Sequence, residues 1–320
     1  MARITLLASP NGRKILDRLI KEHHVQGQDL VIDYSTESNY YLEHQQDPKD
    51  IFTVIHEVLY ANNVPTDTVE LLTGNVLAQE GYNNFLVHNM HINPLKSVKY
   101  SPLWLCQTVD SHTDYSKNYI KTAKEKHFSC LNGRNRVHRN TVFDYLTENN
   151  LISKGICTYV AKGISVDGYT DPDLINSHIK QQQSFYDVFD NSYYDLITET
   201  SVGESPHEWW TEVFFTEKIW RSIYYKRPFL LVGNHYALRE LHKMGFKTFD
   251  GLLFDEHYDK IPYNDKRIQA VLKENKQIVE NMSLTELDHI IHSKEMADIL
   301  QHNYEKINTI ATQHSQSVLH

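Results

Sequence analysis

Short apolar runs alternate with amphipathic stretches through the first third of the chain. Residues 3–8 (RITLLA), 29–34 (DLVIDY) and 68–73 (TVELLT) are apolar runs of strand length, and 85–88 reads as a fourth. Between them, Ile15, Leu16, Leu19 and Ile20 share one helical face within residues 14–23. Ile51, Val54, Ile55, Val58 and Leu59 make an i, i+3, i+4, i+7, i+8 stripe within residues 48–61. Strands alternating with amphipathic helices predict a parallel sheet covered by helices. Residues 93–126 break the pattern with Pro94, Pro102 and a charged run, and read as a connection.

The pattern then restarts. Residues 127–131 (HFSCL) form a strand, 132–139 a basic turn, 140–149 a helix and 155–160 a strand. After a polar excursion at 164–183 come a strand (194–198), a helix (215–226), a strand (228–232) and a helix (236–244). Residues 248–254 read as extended, and 266–281 and 283–313 as long helices. The last opens with Ser283 and Glu286 at capping-box spacing. Two successive α/β halves predict two Rossmann-like domains facing a cleft, with C-terminal helices. The expected divisions are 1–120, 121–295 and a terminal helix at 296–320.

Composition narrows the classes. The 320 residues carry 32 basic and 41 acidic side chains, a net charge of −9. That excludes a generally basic nucleic-acid coat, though not a local basic groove. A 40% hydrophobic fraction with 12 Gly and 9 Pro excludes disordered and collagen-like chains. Cys106, Cys130 and Cys157 are an odd, widely spaced set without C-x-x-C, so they read as buried free thiols. The first 18 residues lack the long apolar region of a signal peptide, and no run reaches 18 apolar residues. A cytoplasmic protein without a membrane span is expected. The 19 His show no ligand set, so neither a metal nor a resident cofactor is expected.

No Walker A, G-x-G-x-x-G, H-E-x-x-H or G-x-S-x-G motif is present. Asp171-Pro-Asp173 reads as a solvated loop. The segment 194–234 carries the most chemistry. Its first strand ends at Thr198-Glu199, its helix starts at Thr216-Glu217-Lys218, and its second strand runs into Gly233, Asn234 and Tyr236. Strand carboxyl ends and helix N-termini are where open α/β sheets bind ligands, phosphates above all. Lys218 opposes the helix dipole in the first turn, a conflict that an anionic ligand resolves. Glu199 or Glu217 suits a ribose or sugar hydroxyl. A second cluster, Asn132, Arg134, Arg136, His138 and Arg139, concentrates positive charge at a strand-to-helix turn, as a diphosphate requires. Trp209 and Trp210 lie between the two motifs and serve either stacking on a sugar or core packing.

The run Phe214-Phe215-Thr216-Glu217-Lys218-Ile219-Trp220-Arg221, followed by Arg227-Pro228-Phe229 and a strand ending at Gly233, resembles the donor motif of fucosyltransferase-like and exostosin-like glycosyltransferases. The continuation LRELHKMGFKTFDGLLFDEHYDKI, and the basic cluster before it, are similar to viral and bacterial members. The likeness spans residues 128–267. It implies a metal-independent transferase of the GT-B type, taking a nucleotide-sugar donor as substrate and a carbohydrate or other hydroxyl acceptor. Lys218 would then neutralise the leaving diphosphate. Phe214 and Phe215 stand where the family often has tyrosine, so neither a phenolic donor contact nor fucose carries over. The catalytic base is expected from the N-terminal domain. Glu37, in the loop after DLVIDY, is the candidate, with Asp33, Glu80 and His88 as rivals. Two other readings are a sugar transferase acting on hydroxylated bases of viral DNA, disfavoured by the net charge, and an inactive nucleotide-binding scaffold.

Overall fold

A computed structural model describes residues 2–5, 12–24, 30–34, 51–65, 69–73, 86–89, 91–92, 99–111, 124–164, 188–200, 202 and 213–318. The chain is mixed α/β and divides into two compact units, Met1–Ser101 and Pro102–His320. The sequence pattern put this division at residue 120. The helix at Leu103–Ser111 was hidden in the stretch read as a connection, and it packs on helices of the second unit.

In the first unit, β1 (Ala2–Thr5), α1 (Gly12–His24), β2 (Leu30–Tyr34), α2 (Ile51–Ala61), β3 (Val69–Thr73) and β4 (Leu86–Asn89) follow in order. The two-residue strands β5 (His91–Ile92) and β6 (Lys99–Tyr100) come after them. The sheet order is β1-β2-β3-β4-β6 with every pair parallel. Leu16 and Ile20 of α1 and Val54, Ile55, Val58 and Leu59 of α2 are buried. They form one core with Leu30, Ile32, Val69 and Leu71, alternate strand residues that point to one sheet face. The strands lie in chain order, so the winding does not reverse among those described.

The second unit opens with α3 (Leu103–Ser111), then β7 (Lys126–Asn132), α4 (Val137–Glu148), β8 (Gly155–Tyr159) and β9 (Ser192–Thr198). There follow β10 (Val213–Phe214), α5 (Glu217–Tyr224), β11 (Phe229–Val232), α6 (Ala237–Lys243), α7 (Asn264–Glu274), α8 (Leu284–Ile291) and α9 (Lys294–Val318). Its four-stranded parallel sheet has the order β11-β9-β7-β8. All residues of β9 and β11 are buried, as expected for parallel strands covered on both faces. Helix α4 packs against α7, whereas α5 packs against α3 and α9.

Local chemistry sets the helix ends. Ser283 and Glu286 form the capping box anticipated for α8. The long helix expected at 283–313 is broken at His292–Ser293, and the one at 266–281 ends at Glu274 before a wider turn at Gln277–Asn281. Residues 248–254, read as extended, fold as turns after α6. Gly245, at φ 89°, ends α6 in the left-handed conformation, with the Phe246 amide reaching back to the Leu241 carbonyl. Cys106, Cys130 and Cys157 are buried free thiols. No helix among the described residues is long and apolar enough to cross a membrane.

Candidate functional site

The winding of the second sheet reverses between β7 and β9: the chain leaves β7 for β8 on one side and returns to β9 on the other. Their carboxyl ends therefore diverge into the crevice where open α/β sheets hold ligands. Asn132 ends β7 and Thr198 ends β9. The Thr198 hydroxyl donates to Asn132 Oδ1 at 2.5 Å and closes the crevice floor.

Glu199 is the next residue and the centre of the network. Its carbonyl accepts from His138 Nε2 at 2.8 Å and from the Arg139 guanidinium at 3.4 Å, both in the first turn of α4. Its carboxylate accepts from the Thr216 hydroxyl, from the Thr216 amide at 3.2 Å and from the Thr200 amide at 3.2 Å. Burial raises its pKa, against the lowering effects of Lys218 and the Thr216 hydrogen bonds. Glu199 thus joins the starts of α4 and α5 to the end of β9.

Thr216 is the N-cap of α5, and its hydroxyl oxygen accepts from the Lys218 amide. Lys218 Nζ lies 2.7 Å from Glu217 Oε1, 3.2 Å from the Thr200 hydroxyl and 3.3 Å from the Thr216 hydroxyl. Burial pushes the Glu217 carboxyl up, but Lys218 and then Arg221 bring it below the ordinary carboxylate range. Glu217 therefore resolves the conflict of Lys218 with the helix dipole within the protein itself. Since the Glu199 carboxylate is engaged by protein donors, Glu217, which is 26% exposed, is the better placed of the two for a ligand hydroxyl.

Helix α4 starts three residues earlier than its apolar pattern implied, because 137–139 are helical and His138 and Arg139 turn inward. Those two residues are structural ties rather than surface cations. Burial first, then Arg139, Arg136 and Lys218, push the His138 pKa down to about 4 despite the hydrogen bond to the Glu199 carbonyl. Arg134 is exposed, and its carbonyl accepts from Arg139. Arg136, half-buried, is the N-cap of α4; its side chain makes no capping hydrogen bond and no acidic residue sits in the first turn. Arg134 and Arg136 thus lead into the positive, uncapped start of α4, and Lys218 sits in the first turn of α5.

The structure brings His138, Arg139, Glu199, Thr216, Glu217 and Lys218 into one hydrogen-bonded group, and Asn132 adjoins it through Thr198, the residue before Glu199. Asn234 joins it indirectly, accepting from the Phe214 amide at 3.3 Å. Tyr236 lies further on, at the start of α6, where the Leu238 and Arg239 amides donate to the Asp259 carboxylate at 3.0 and 3.1 Å. Asp259 already occupies that helix start, so the turn after β11 is not a phosphate cradle. Glu37, Glu80, Asp171, Asp173, Trp209 and Trp210 lie outside the described residues, and of Asp33 and His88 only the backbone is described.

Two arginines that the sequence reading did not count among the site residues, Arg227 of the family-like motif and Arg267, tie the surrounding chain together. Arg227 forms a buried pair with Asp195, with Nε 3.0 Å from both carboxylate oxygens, and also donates to the Phe189 and Ser192 carbonyls. Arg267 donates to the Gly233 carbonyl at 3.1 Å and the Val202 carbonyl at 2.8 Å, and burial lowers its pKa to about 10. The signal was available: a positive charge inside an apolar run, as at Arg227 in YYKRPFLLV, is buried only when it is fully paired. Among the described residues no group of three or more His, Cys, Asp or Glu is arranged to hold a metal ion.

No protein-family model matches the chain, and searches of curated proteins and of solved structures find no similar protein.

Proposed function

We propose that the protein is a glycosyltransferase that moves a sugar from a nucleotide-diphosphate donor to a hydroxyl acceptor. One observation carries the reading. At the only reversal of winding among the described strands, the uncapped start of α4, preceded in the chain by Arg134 and Arg136, and Lys218 in the first turn of α5 both interact with Glu199. The motif that resembles the glycosyltransferase donor helix supplies that lysine.

In this reading the bond between the anomeric carbon and the diphosphate oxygen breaks. A bond forms between that carbon and the acceptor oxygen, and the acceptor proton passes to a base. Negative charge grows on the departing diphosphate. Lys218, the two arginines and the α4 dipole stabilise it there, the main electrostatic contribution this chain offers. Glu217 accepts a hydrogen bond from a donor hydroxyl, and Glu199 keeps the two helix starts in register. The GT-B arrangement of two Rossmann-like domains, with Glu37 of the first as the base, belongs to the same proposal. It rests on the position of Glu37 after the second strand.

The test is turnover. The protein is incubated with a panel of nucleotide-sugars and hydroxyl acceptors, saccharides and hydroxymethylated DNA among them, and nucleoside diphosphate release is measured. Acceptor-dependent release with one pair supports the proposal. A full panel with no release, and no donor-induced rise in melting temperature, overturns it.

A further inference from the structure

The turn after β11 holds three planar groups in a stack. The His235 and Tyr236 rings lie 3.7 Å apart, with planes 28° from parallel. The Arg239 guanidinium carbon lies 3.6 Å from the centre of the Tyr236 ring. At such separations the imidazole and the guanidinium occupy opposite faces of the phenol, so Tyr236 is the middle layer. Its backbone is left-handed, at φ 62° and ψ 22°, a conformation that a bulky side chain keeps only where its surroundings impose it. They do so here: the Tyr236 amide donates to the Asp259 carbonyl at 2.9 Å, and His235 Nε2 to the Lys260 carbonyl at 3.2 Å. Strain of this kind gathers at ligand sites.

The outer layer, Arg239, lines a cavity of about 280 Å³ with Leu238, His242, Lys260 and the carboxylates Asp250, Glu256 and Asp259. The Arg239 side chain is 42% exposed, and its own ion pair, to Glu240, is shared with Lys243. The cavity has one flat cation, one apolar side chain and several donors and acceptors around its rim. That is the equipment for a planar, polar heterocycle: guanidinium planes stack on bases, and rim groups read their edges. Three carboxylates line it, and Asp259 fills the start of α6, so this cavity takes an uncharged part of a ligand rather than a phosphate.

We infer that this cavity binds the base of the nucleotide donor, stacked on the Arg239 guanidinium that Tyr236 and His235 hold flat. The inference rests on the donor reading above and extends it to the base.

Calorimetry with uridine, guanosine, adenosine and cytidine diphosphates and with inorganic pyrophosphate tests it. The wild-type protein binds at least one nucleoside diphosphate roughly tenfold or more tighter than pyrophosphate. Arg239→Ala and Tyr236→Gly abolish that preference while pyrophosphate affinity stays within about twofold, which also shows that the variants are folded. A preference kept in both variants overturns the inference and leaves the donor reading standing. So does equal wild-type affinity for pyrophosphate and all four nucleotides. A wild-type protein that binds none of the five overturns the donor reading and this inference with it.

Discussion

His138 and Glu256 set up two opposed pH dependences that nearly hide each other. The buried imidazole of His138 has its pKa pushed from 6.5 down to about 4, by burial above all, so it stays neutral in the folded protein. On acidification the unfolded chain takes up this proton before the folded one does. Stability therefore falls by about 2 kcal/mol between pH 7 and pH 5. Glu256 accepts from the Thr248 hydroxyl at 2.5 Å and the Phe249 amide at 2.9 Å. Burial nonetheless pushes its pKa from 4.5 up to about 7. Here the folded state holds the proton that the unfolded state has lost, so stability falls by about 2 kcal/mol as pH rises from 5 to 7. In the wild-type protein these two contributions cancel to within about 1 kcal/mol. His138→Gln keeps a donor toward the Glu199 carbonyl and removes the first dependence; Glu256→Gln removes the second. Urea denaturation at pH 5, 6 and 7 separates them. Relative to wild type, His138→Gln loses about 2 kcal/mol on going from pH 5 to pH 7, and Glu256→Gln gains about as much. All other groups titrate alike in the three proteins and drop out of the comparison. Curves that run parallel would refute the claim that these two buried groups hold the protonation states assigned to them.

Arg227→Met leaves the buried Asp195 carboxylate without its cation, so urea denaturation should show a loss of roughly 3–5 kcal/mol. Thr216→Val removes both the α5 cap and a partner of Glu199, and should cost about 1–2 kcal/mol in the same assay. Gly155→Ala places a Cβ under 3.0 Å from the edge of the Phe128 ring and should cost roughly 1–3 kcal/mol, read as a lowered melting temperature. Glu37→Gln should keep donor affinity and slow turnover about 100-fold at saturating acceptor, if Glu37 is the base.

Much of the fold was legible because burial writes a period into the sequence. The stripes of α1 and α2 and the apolar runs of β1, β2, β3, β9 and β11 are visible without coordinates. The helix at Leu103–Ser111 was missed because Pro94, Pro102 and scattered polar residues around it read as a connection. The start of α4 was misplaced for a related reason. His138 and Arg139 read as part of a basic turn open to a ligand, yet they point inward and donate to the Glu199 carbonyl. The polar residues of the candidate site were legible in composition and position, but which of them bond to one another was not. Only the geometry shows that the Glu199 carboxylate is engaged by Thr216 and Thr200, or that Asp259 fills the start of α6. Strand order is likewise invisible in a local pattern, and it alone locates the reversal between β7 and β9.

The central claim is that Lys218 meets the diphosphate of a nucleotide donor at this crevice. Calorimetric titration of the wild-type protein and Lys218→Ala with nucleoside diphosphates tests it most directly. The account predicts measurable wild-type binding that weakens by about 1.5–3 kcal/mol in the variant, the loss of one charge-assisted hydrogen bond. Equal affinity in the two proteins would contradict it.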